Sequence, residues 1–304
     1  MQPIADFPPT LVVVTGPTAS GKSALALRLA EQYGSHIISA DSRQIYRDIP
    51  IGTAAPTADD MQRVPHHFVG TLGLDEYFSA AQFEEETLAL LERLFAENPV
   101  QVICGGSMMY VDALCYGIDE LPTISPEIRR FAAEIYANGG IDAVRDTLLH
   151  IDPDYYHQVD LNNHRRIIHA IEITMEAGVP YSSLRTGERK QRPFRIIRLA
   201  IDHPRDVLFD RINRRVDQMI ANGMIEEARS VYHLRHLNSL NTVGYKELFR
   251  HFDGEWDLPT AIERIKKNTR VFAKKQLTWL KRDNSVTWLT PSDDCPKLDD
   301  FFSR

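Results

Sequence analysis

An eight-residue motif near the amino terminus, Gly-Pro-Thr-Ala-Ser-Gly-Lys-Ser at residues 16–23, restricts the possible folds more than any other feature of the sequence. It matches G-x-x-x-x-G-K-[ST], follows an apolar run at 11–15 and precedes a segment, 23–33, with the apolar spacing of a helix. The order strand, glycine-rich turn and helix predicts a loop whose backbone N–H groups bind phosphate oxygens, since the helix dipole adds positive charge there. The motif predicts a diphosphate or polyphosphate ligand and does not distinguish the two.

Two side chains of this phosphate loop have predicted roles. Lys22 is expected to neutralise the phosphates, and the Ser23 hydroxyl to ligate Mg²⁺, the one cofactor we predict. P-loop ATPases usually hold this ion with an aspartate at the end of a neighbouring strand, but the apolar run 100–104 ends in Gly-Gly-Ser. Asp41, which follows a strand expected at 36–39, is therefore the carboxylate predicted to face the loop. A structural role for Asp41, as the N-cap of a helix, stays open at this point.

Strands and helices alternate along the first third of the chain. Strands are expected at 36–39 and 100–104, and Ser79 with Gln82 forms a capping box before a helix that runs to about Glu97. Alternating units of this kind predict a parallel sheet with helices on both faces.

The pattern changes near Leu121, where the strands stop, and a strand returns only at 194–201. Helices are expected at 126–138, 141–150, 164–177, 205–222 and 259–282. The predicted fold class is α/β. It has a P-loop NTPase-like parallel sheet core, formed by 1–120 and 193–304 with the C-terminal helices, and an inserted all-helical domain at 121–192.

The charge of the chain is divided unevenly. The formal net charge is −7, but residues 1–160 carry 9 Lys and Arg against 23 Asp and Glu, whereas residues 161–304 carry 26 against 19. This asymmetry predicts a face that binds a polyanion, although solvated surface charge explains it about equally well. The segment 264–282 holds eight Lys and Arg residues, no acid, and the aromatic residues Phe272 and Trp279. It is predicted to anchor phosphates of that polyanion, whereas aromatic residues at helical spacing are more often core.

Targeting and cysteine patterns bear on the location of the protein. No apolar run approaches the roughly 20 residues of a membrane span, and the first ten residues lack the features of a signal peptide. Cys104, Cys115 and Cys295 show no CxxC spacing, which argues against a disulfide framework and a structural zinc site. We expect a cytoplasmic protein without a membrane segment, and a monomer.

Motifs along nearly the whole chain resemble those of the bacterial tRNA dimethylallyltransferases, also called isopentenyltransferases. The phosphate loop is one of them, and the others follow in the order of that family. They are Asp-Ser-Arg-Gln-Ile-Tyr-Arg at 41–47, Gly-Thr-Ala-Ala-Pro at 52–56, His-His at 66–67, Ser-Ala-Ala-Gln-Phe at 79–83, Gly-Gly-Ser-Met-Met-Tyr at 105–110, Val-Gly-Tyr-Lys-Glu at 243–247 and Lys-Lys-Gln-Leu-Thr-Trp-Leu-Lys at 274–281. Their order and spacing together are highly specific.

The resemblance implies a reaction in which a dimethylallyl group passes from dimethylallyl diphosphate to the exocyclic N6 amine of an adenine in tRNA. The adenine implied is position 37, 3′-adjacent to the anticodon, and diphosphate is released. Asp41 would be the general base, and Ser107 keeps the hydroxyl of the family's usual threonine.

Stabilising the departing diphosphate is the second requirement of this chemistry. Lys22 and the pair Arg211 and Arg215, one helical turn apart, are candidates, with solvated helix surface as the alternative for the pair. We therefore predict Asp41, Lys22, Ser107 and Arg215 as catalytic residues. The predicted diphosphate ligands are Gly16, Thr18, Ala19, Ser20, Gly21, Lys22, Ser23, Arg211 and Arg215.

Contacts with the anticodon stem-loop of tRNA follow from the resemblance and from the basic segment. The predicted contacts are Asp41, Ser42, Arg43, Gln44, Ser107, Arg129, Arg165, Arg166, His169, Gly244, Tyr245, Lys274 and Lys275. The stretch 163–169 departs from the family pattern. Asn163, Arg165 and His169 stand where Asp, Gln and Arg are usual, while Arg166 is retained.

Other functions account for parts of the sequence. A P-loop small-molecule kinase leaves the basic segment unexplained, and a nucleic-acid ATPase would need an aspartate at the end of the third strand. An adenylate isopentenyltransferase that uses free nucleotides would not require the helical insertion or the basic segment. A non-catalytic RNA-binding module would not require a complete phosphate loop.

Overall fold

The computed structural model describes residues 7–291 and 296–297, and its six strands form one parallel sheet. The strands are β1 (Thr10–Thr15), β2 (Ile37–Ser39), β3 (His66–His67), β4 (Val100–Cys104), β5 (Arg195–Ile201) and β6 (Val286–Leu289). Their order across the sheet is β3-β2-β4-β1-β5-β6. All six residues of β1 are buried, as expected for the apolar central strand of a sheet that helices cover on both faces. The predicted fold class is confirmed.

Helices connect and cover the strands. They are α1 (Lys22–Tyr33), α2 (Pro50–Thr53), α3 (Ala58–Arg63), α4 (Ala80–Glu97), α5 (Met108–Tyr116), α6 (Pro126–Ile151), α7 (Pro153–Tyr156), α8 (His164–Ala177), α9 (Tyr181–Leu184), α10 (Arg205–Ala221), α11 (Met224–Ser230), α12 (Tyr245–Phe252) and α13 (Leu258–Leu280). The capping box predicted for α4 is present, because the Ser79 and Gln82 side chains each accept a hydrogen bond from the other residue's backbone N–H.

The carboxyl ends of three neighbouring strands are drawn together at the edge that carries the phosphate loop. The backbone N–H of Gly105, after β4, donates to the carbonyl of Val14 in β1, and that of Ala40, after β2, donates to Cys104. A Cβ atom on Gly105 would lie 2.1 Å from the carbonyl oxygen of Ala40. Only glycine therefore allows β2 and β4 to end this close together.

The chain divides into two compact units. One comprises Met1–Cys115 and Gln191–Arg304, and the other Tyr116–Lys190, whose boundaries lie within five residues of the predicted insertion at 121–192. The second unit contains α6 to α9. Its core includes Ala132, Val144, Leu148, Ile167, Ala170 and Ile171. Gly140, with φ 65° and ψ −156°, interrupts α6 where the sequence predicts a break between two helices.

Two further properties concern the helices and the cysteines of the described residues. None of their helices is long and apolar enough to cross a membrane. Cys104 and Cys115 are free thiols, and Cys295 lies outside the described residues.

Candidate active site

The phosphate loop joins β1 to α1 through a backbone that turns inward. Gly16 and Gly21 have φ values of 145° and 99°, and Ala19 has a φ of 64°, which is unusual for a residue with a side chain. Gly21 is the N-cap of α1 and has no side chain with which to cap it. The N–H groups of the first turn therefore stay available to an anion, in the field of the helix dipole.

Side chains distant in sequence hold the phosphate loop. Gln276 of α13 accepts a hydrogen bond from the Thr18 N–H at 2.9 Å and donates one to the Gly106 carbonyl at 2.9 Å. The Nε of Arg211 donates to the Ala19 carbonyl at 2.7 Å, and Nε2 of His203 lies 2.7 Å from the Ser20 carbonyl oxygen. Sequence reasoning missed His203 and Gln276. The only signal for Gln276 was its place in the motif 274–281.

A cavity of about 530 Å³ lies in front of the loop and brings together the predicted catalytic residues. Its lining includes Thr18, Lys22, Ser23, Asp41, Ser42, Arg43, Gln44, Ser107 and Arg215, with Phe272, Lys275 and Gln276 from α13. A second opening of about 330 Å³ is lined by Ala19, Gly21, Lys22, Ser23, Arg211, Arg214 and Arg215. The phosphate loop thus lies between the two openings, and Lys22, Ser23 and Arg215 line both.

Cationic side chains in this cavity lack strong acidic compensation. Burial lowers the pKa of Lys22, and the charge of Arg215 lowers it further, while nearby Cys104 and Asp41 act in the opposite direction. The Nε of Arg215 is buried without a hydrogen-bond partner among the described residues. An anion bound here would be attracted by the positive charge of Arg215, which lines the cavity, and would favour the charged form of Lys22.

Cys104 stands at the end of β4, where P-loop ATPases carry a metal-binding aspartate. Burial raises the pKa of its thiol to about 11, against smaller opposing effects of Lys22 and of a hydrogen bond with Ser23. The thiol is therefore neutral at physiological pH and does not replace the carboxylate.

Asp41 combines a structural contact with a place in the cavity. Its Oδ1 accepts hydrogen bonds from the backbone N–H groups of Arg43 at 2.9 Å and Gln44 at 3.4 Å, which stabilises the turn after β2. No other hydrogen bond of this carboxylate is present among the described residues. The capping interpretation and the functional one are compatible, because Oδ2 makes no hydrogen bond among the described residues and Asp41 lines the same cavity as Lys22 and Arg215.

Ser107 links the ends of β2 and β4. Its hydroxyl oxygen accepts a hydrogen bond from the Ser42 N–H at 2.8 Å and lies 3.1 Å from the Ser42 hydroxyl. The Ser107 N–H donates to the Ala40 carbonyl, so both ends of this residue hold the strand ends together.

The two residues after Ser42 form their hydrogen bonds inside the protein. The Arg43 guanidinium donates to the carbonyl oxygens of residues 238 and 239, at 3.1 Å each. The Gln44 amide donates to the carbonyls of residues 53 and 54 and accepts from the Ser39 hydroxyl. These hydrogen bonds already use the polar groups of Gln44 that the resemblance assigns to tRNA.

Tyr245 lies in the core of the protein, although its motif predicts a contact with tRNA. Its side chain is fully buried, and its hydroxyl hydrogen-bonds with Glu227, which also accepts from the backbone N–H groups of Ile51 and Gly52. The preceding Gly244 is buried too, with a φ of 104°. The Tyr245 side chain in this conformation packs in the core and has no surface to offer RNA.

Helix α13 presents a mixed surface to the cavity. Lys275 is exposed and lines it, whereas Lys274 is exposed and its Nζ lies 5.5 Å from the ring centroid of Phe209. Phe272 is 42% exposed and also lines the cavity, so it is not the core residue that helical spacing usually indicates. Trp279 is half-buried.

The remaining predicted contacts lie in the unit formed by Tyr116–Lys190. Arg165, Arg166 and His169 are exposed on α8, and Arg129 is exposed on α6. Partial burial lowers the pKa of His169, and the charge of Arg129 lowers it further. His169 is thus neutral near pH 7, unlike the arginine usual in the resembling family.

The donor set of the cavity fits Mg²⁺ only together with a phosphate ligand. The Ser23 hydroxyl is exposed, and the Asp41 carboxylate lines the same cavity. The described residues contain no group of three His, Cys, Asp or Glu side chains that could hold a metal by themselves. Mg²⁺ commonly binds through one or two protein oxygens plus substrate phosphates, which agrees with this sparse set.

A parallel sheet with a phosphate loop after its central strand defines a P-loop NTPase-like α/β protein. The chain belongs to the family described as IPP transferase, whose sequence model matches residues 44–283. As a member of this family, it is an enzyme that transfers a prenyl group, and the family resemblance read from its motifs is confirmed.

Individual relatives match most of the chain. The tRNA dimethylallyltransferase 1 of Bacteroides thetaiotaomicron is 53% identical over 96% of this chain and 94% of its own. The tRNA dimethylallyltransferase 2 of Parabacteroides distasonis is 54% identical over 93% of this chain and 95% of its own. The crystal structure of the tRNA isopentenylpyrophosphate transferase from Bacillus halodurans aligns with a TM-score of 0.68 at 34% identity, covering 97% of this chain and 95% of that one.

Proposed function

We propose that this enzyme transfers the dimethylallyl group of dimethylallyl diphosphate to the N6 amine of adenine 37 in tRNA and releases diphosphate. The observation that carries the proposal is the single cavity in which a carboxylate, Asp41, lies across from an anion-binding loop. The names of the similar proteins support a tRNA acceptor and a prenyl donor. We further propose that the enzyme acts as a cytoplasmic monomer.

The donor reacts when its allylic C–O bond breaks and the diphosphate leaves. The loop N–H groups, Lys22 and the guanidinium of Arg215 would stabilise the negative charge that develops on the leaving group. Lys22 and Arg215 are partly buried and the loop backbone is held by Gln276 and Arg211, so these groups need little reorganisation during the reaction. Arg211, whose Nε is bonded to the loop, would contribute its outer guanidinium nitrogens at the second opening.

The acceptor amine is a weak nucleophile because its lone pair is delocalised into the adenine ring. As the new C–N bond forms, the amine becomes acidic and a base must take its proton. Asp41 is suited to this step because the turn bonded to Oδ1 fixes its orientation while Oδ2 stays available. Ser107 accepts a hydrogen bond from Ser42, the residue that follows Asp41. It would thereby keep the acceptor pocket at a constant distance from the Asp41 carboxylate.

Mg²⁺ would be held by Ser23 and by diphosphate oxygens, with Asp41 as the candidate carboxylate. When bound, this ion supplies further positive charge to the departing diphosphate.

The adenine must leave its stack to enter the cavity, at a cost of a few kcal/mol. The exposed Lys275 and Phe272 at the cavity lining could bind the displaced strand through a phosphate and through stacking. Arg129, Arg165 and Arg166 offer a second exposed basic surface, with the neutral His169 beside them on α8, and we assign these four residues to the anticodon stem-loop.

The decisive experiment uses radiolabelled dimethylallyl diphosphate, Mg²⁺ and unmodified tRNA, followed by location of the label. Label on N6 of adenine 37, without ATP, is the expected result. Label transfer to free adenine nucleotides in preference to tRNA would favour the free-nucleotide prenyltransferase. ATP turnover coupled to a small acceptor would favour the kinase.

A further inference from the structure

A third cavity, basic and of about 500 Å³, adjoins the main one and has no role in the mechanism above. We call it the α12–α13 cleft, because Lys246 and Arg250 of α12 and Arg264 of α13 line it, with Trp256 from the intervening loop and Arg235. Lys246, Glu247 and Asn268 line both cavities, so the two are neighbours.

The cleft carries an excess of positive charge. Four cationic side chains line it against one carboxylate, Glu247. That carboxylate is already satisfied, because it accepts hydrogen bonds from the Gly244 N–H and the Asn268 side chain, each at 2.7 Å. Within the part of the chain that the structure describes, Arg235, Lys246 and Arg264 have no acidic partner within 4 Å.

An aromatic ring orders two of the cations. The guanidinium carbons of Arg250 and Arg264 lie 4.9 and 5.5 Å from the ring centroid of the half-buried Trp256. Such contacts hold the guanidinium groups near the aromatic face. The arginine side chains therefore lose less conformational entropy when they bind an anion. Glu255 approaches Arg250 at 3.8 Å, but both side chains are more than half exposed, so this pair stabilises little.

Arginine side chains held in this way recognise a phosphate group through paired N–H donors. The neighbouring cavity is the one proposed to receive an adenine, and a strand that delivers a base there continues on either side of it. We propose that the α12–α13 cleft binds a phosphodiester group of the same RNA strand, adjacent to the nucleotide whose base enters the main cavity. This inference rests on the proposed function.

The test combines a protein variant with a change in the RNA. Arg250 and Arg264 are replaced together, Arg250→Gln with Arg264→Gln, and single phosphates beside the target adenine are replaced one at a time by neutral methylphosphonates. The double variant should bind native RNA about tenfold more weakly at 0.1 M salt, with a salt slope flatter by about 0.7. At one position the methylphosphonate should weaken wild-type binding and leave the double variant nearly unaffected, because both changes remove the same contact.

Two controls separate this result from general effects. The double variant Arg28→Gln with Arg93→Gln makes the same charge change at exposed sites on α1 and α4 and should bind RNA as the wild type does. Transfer at saturating RNA should stay within about twofold for the Arg250/Arg264 variant, which also reports that it is folded.

Three outcomes would overturn the inference. In the first, the losses of binding free energy caused by the protein variant and by the methylphosphonate add at every position tested. The second is equal losses in both double variants. In the third, inorganic phosphate competes with RNA for the wild type more strongly than chloride does at equal ionic strength, but does not do so for the double variant. If no methylphosphonate position is then coupled to the double variant, the cleft binds a free anion and not the RNA strand. Failure of wild-type enzyme to label tRNA would instead contradict the proposed function itself.

Discussion

The phosphate loop and the turn at residues 41–47 face each other in one cavity, but they are held in place in opposite ways. Helix α13 and residues 203 and 211 fix the phosphate loop from outside through its backbone carbonyl and N–H groups. The 41–47 turn uses its own side chains, since Asp41, Arg43 and Gln44 all bond to nearby backbone. Motif residues can therefore be needed for support, even where their chemistry suggests contact with substrate.

The largest effect should come from Asp41, the one residue of the turn that has both roles. Asp41→Asn can still accept the backbone hydrogen bonds through its amide oxygen but cannot take a proton. We expect single-turnover transfer to fall by roughly 10²–10⁴-fold in both Asp41→Asn and Asp41→Ala, with tRNA affinity nearly intact. If Asp41→Asn transfers as fast as wild type, the carboxylate acts only by supporting the turn.

Lys22 should give the next largest effect, and it acts through charge. Lys22→Ala should lower turnover and diphosphate affinity by about 10²-fold, because one charge-assisted contact to the leaving group is lost. Pyrophosphate affinity of the wild type should fall as pH rises through the pKa of Lys22, which burial has lowered. Lys22→Arg should keep the positive charge and remove that pH dependence. Calorimetric titration of pyrophosphate into both proteins at several pH values would measure the affinities. The same pH dependence in Lys22→Arg as in the wild type would contradict the assignment of this pH effect to Lys22.

Substitution of Gln276 tests whether the hydrogen bonds from α13 hold the phosphate loop in place. Gln276→Glu keeps an acceptor for the Thr18 N–H but places a carboxylate oxygen against the Gly106 carbonyl, so the loop should shift. The KM for dimethylallyl diphosphate should rise about tenfold, with tRNA affinity changed much less. Gln218→Glu, the same substitution at an exposed position of α10, is the matched control. Equal KM values for the two variants would mean that α13 does not position the loop.

Gln44 tests the internal support of the turn and should give the smallest change in activity. Gln44→Ala removes hydrogen bonds to residues 39, 53 and 54, and we expect the free energy of unfolding to fall by about 1–3 kcal/mol. Urea unfolding and tRNA titration of the same sample separate support from contact. A tenfold loss of tRNA affinity without loss of stability would restore the direct contact implied by the family resemblance.

Local patterns were sufficient for much of the fold. The strand, glycine-rich turn and helix around residues 16–23, the capping box at Ser79 and the break before residue 141 all depend on interactions over a few residues. The two-residue strand β3 and the four-residue strand β6 are too short for a periodic pattern, and they form because a neighbouring strand offers hydrogen bonds. Helices α11 and α12 follow turns at glycines with positive φ that the apolar spacing does not reveal.

The site was predictable where chemistry is local and not where it depends on distant partners. Lys22 and Ser23 could be placed in the cavity because the motif sets them at the start of α1, after β1, and Asp41 because it follows β2 at the same sheet edge. The burial of Tyr245 depends on Glu227, and the role of Gln276 depends on Thr18, 258 residues away. No sequence period reports contacts of that range, so only the folded structure identifies them.

The support of the phosphate loop by α13 also has a consequence for synthesis of the chain. Thr18 leaves the ribosome long before Gln276 has been translated, and β5, the neighbour of β1, also comes late. At about 5–20 residues per second, the loop motif waits roughly 13–50 seconds for its partner. A nascent chain that already displays the phosphate-loop motif therefore lacks this support until Gln276 has been synthesised.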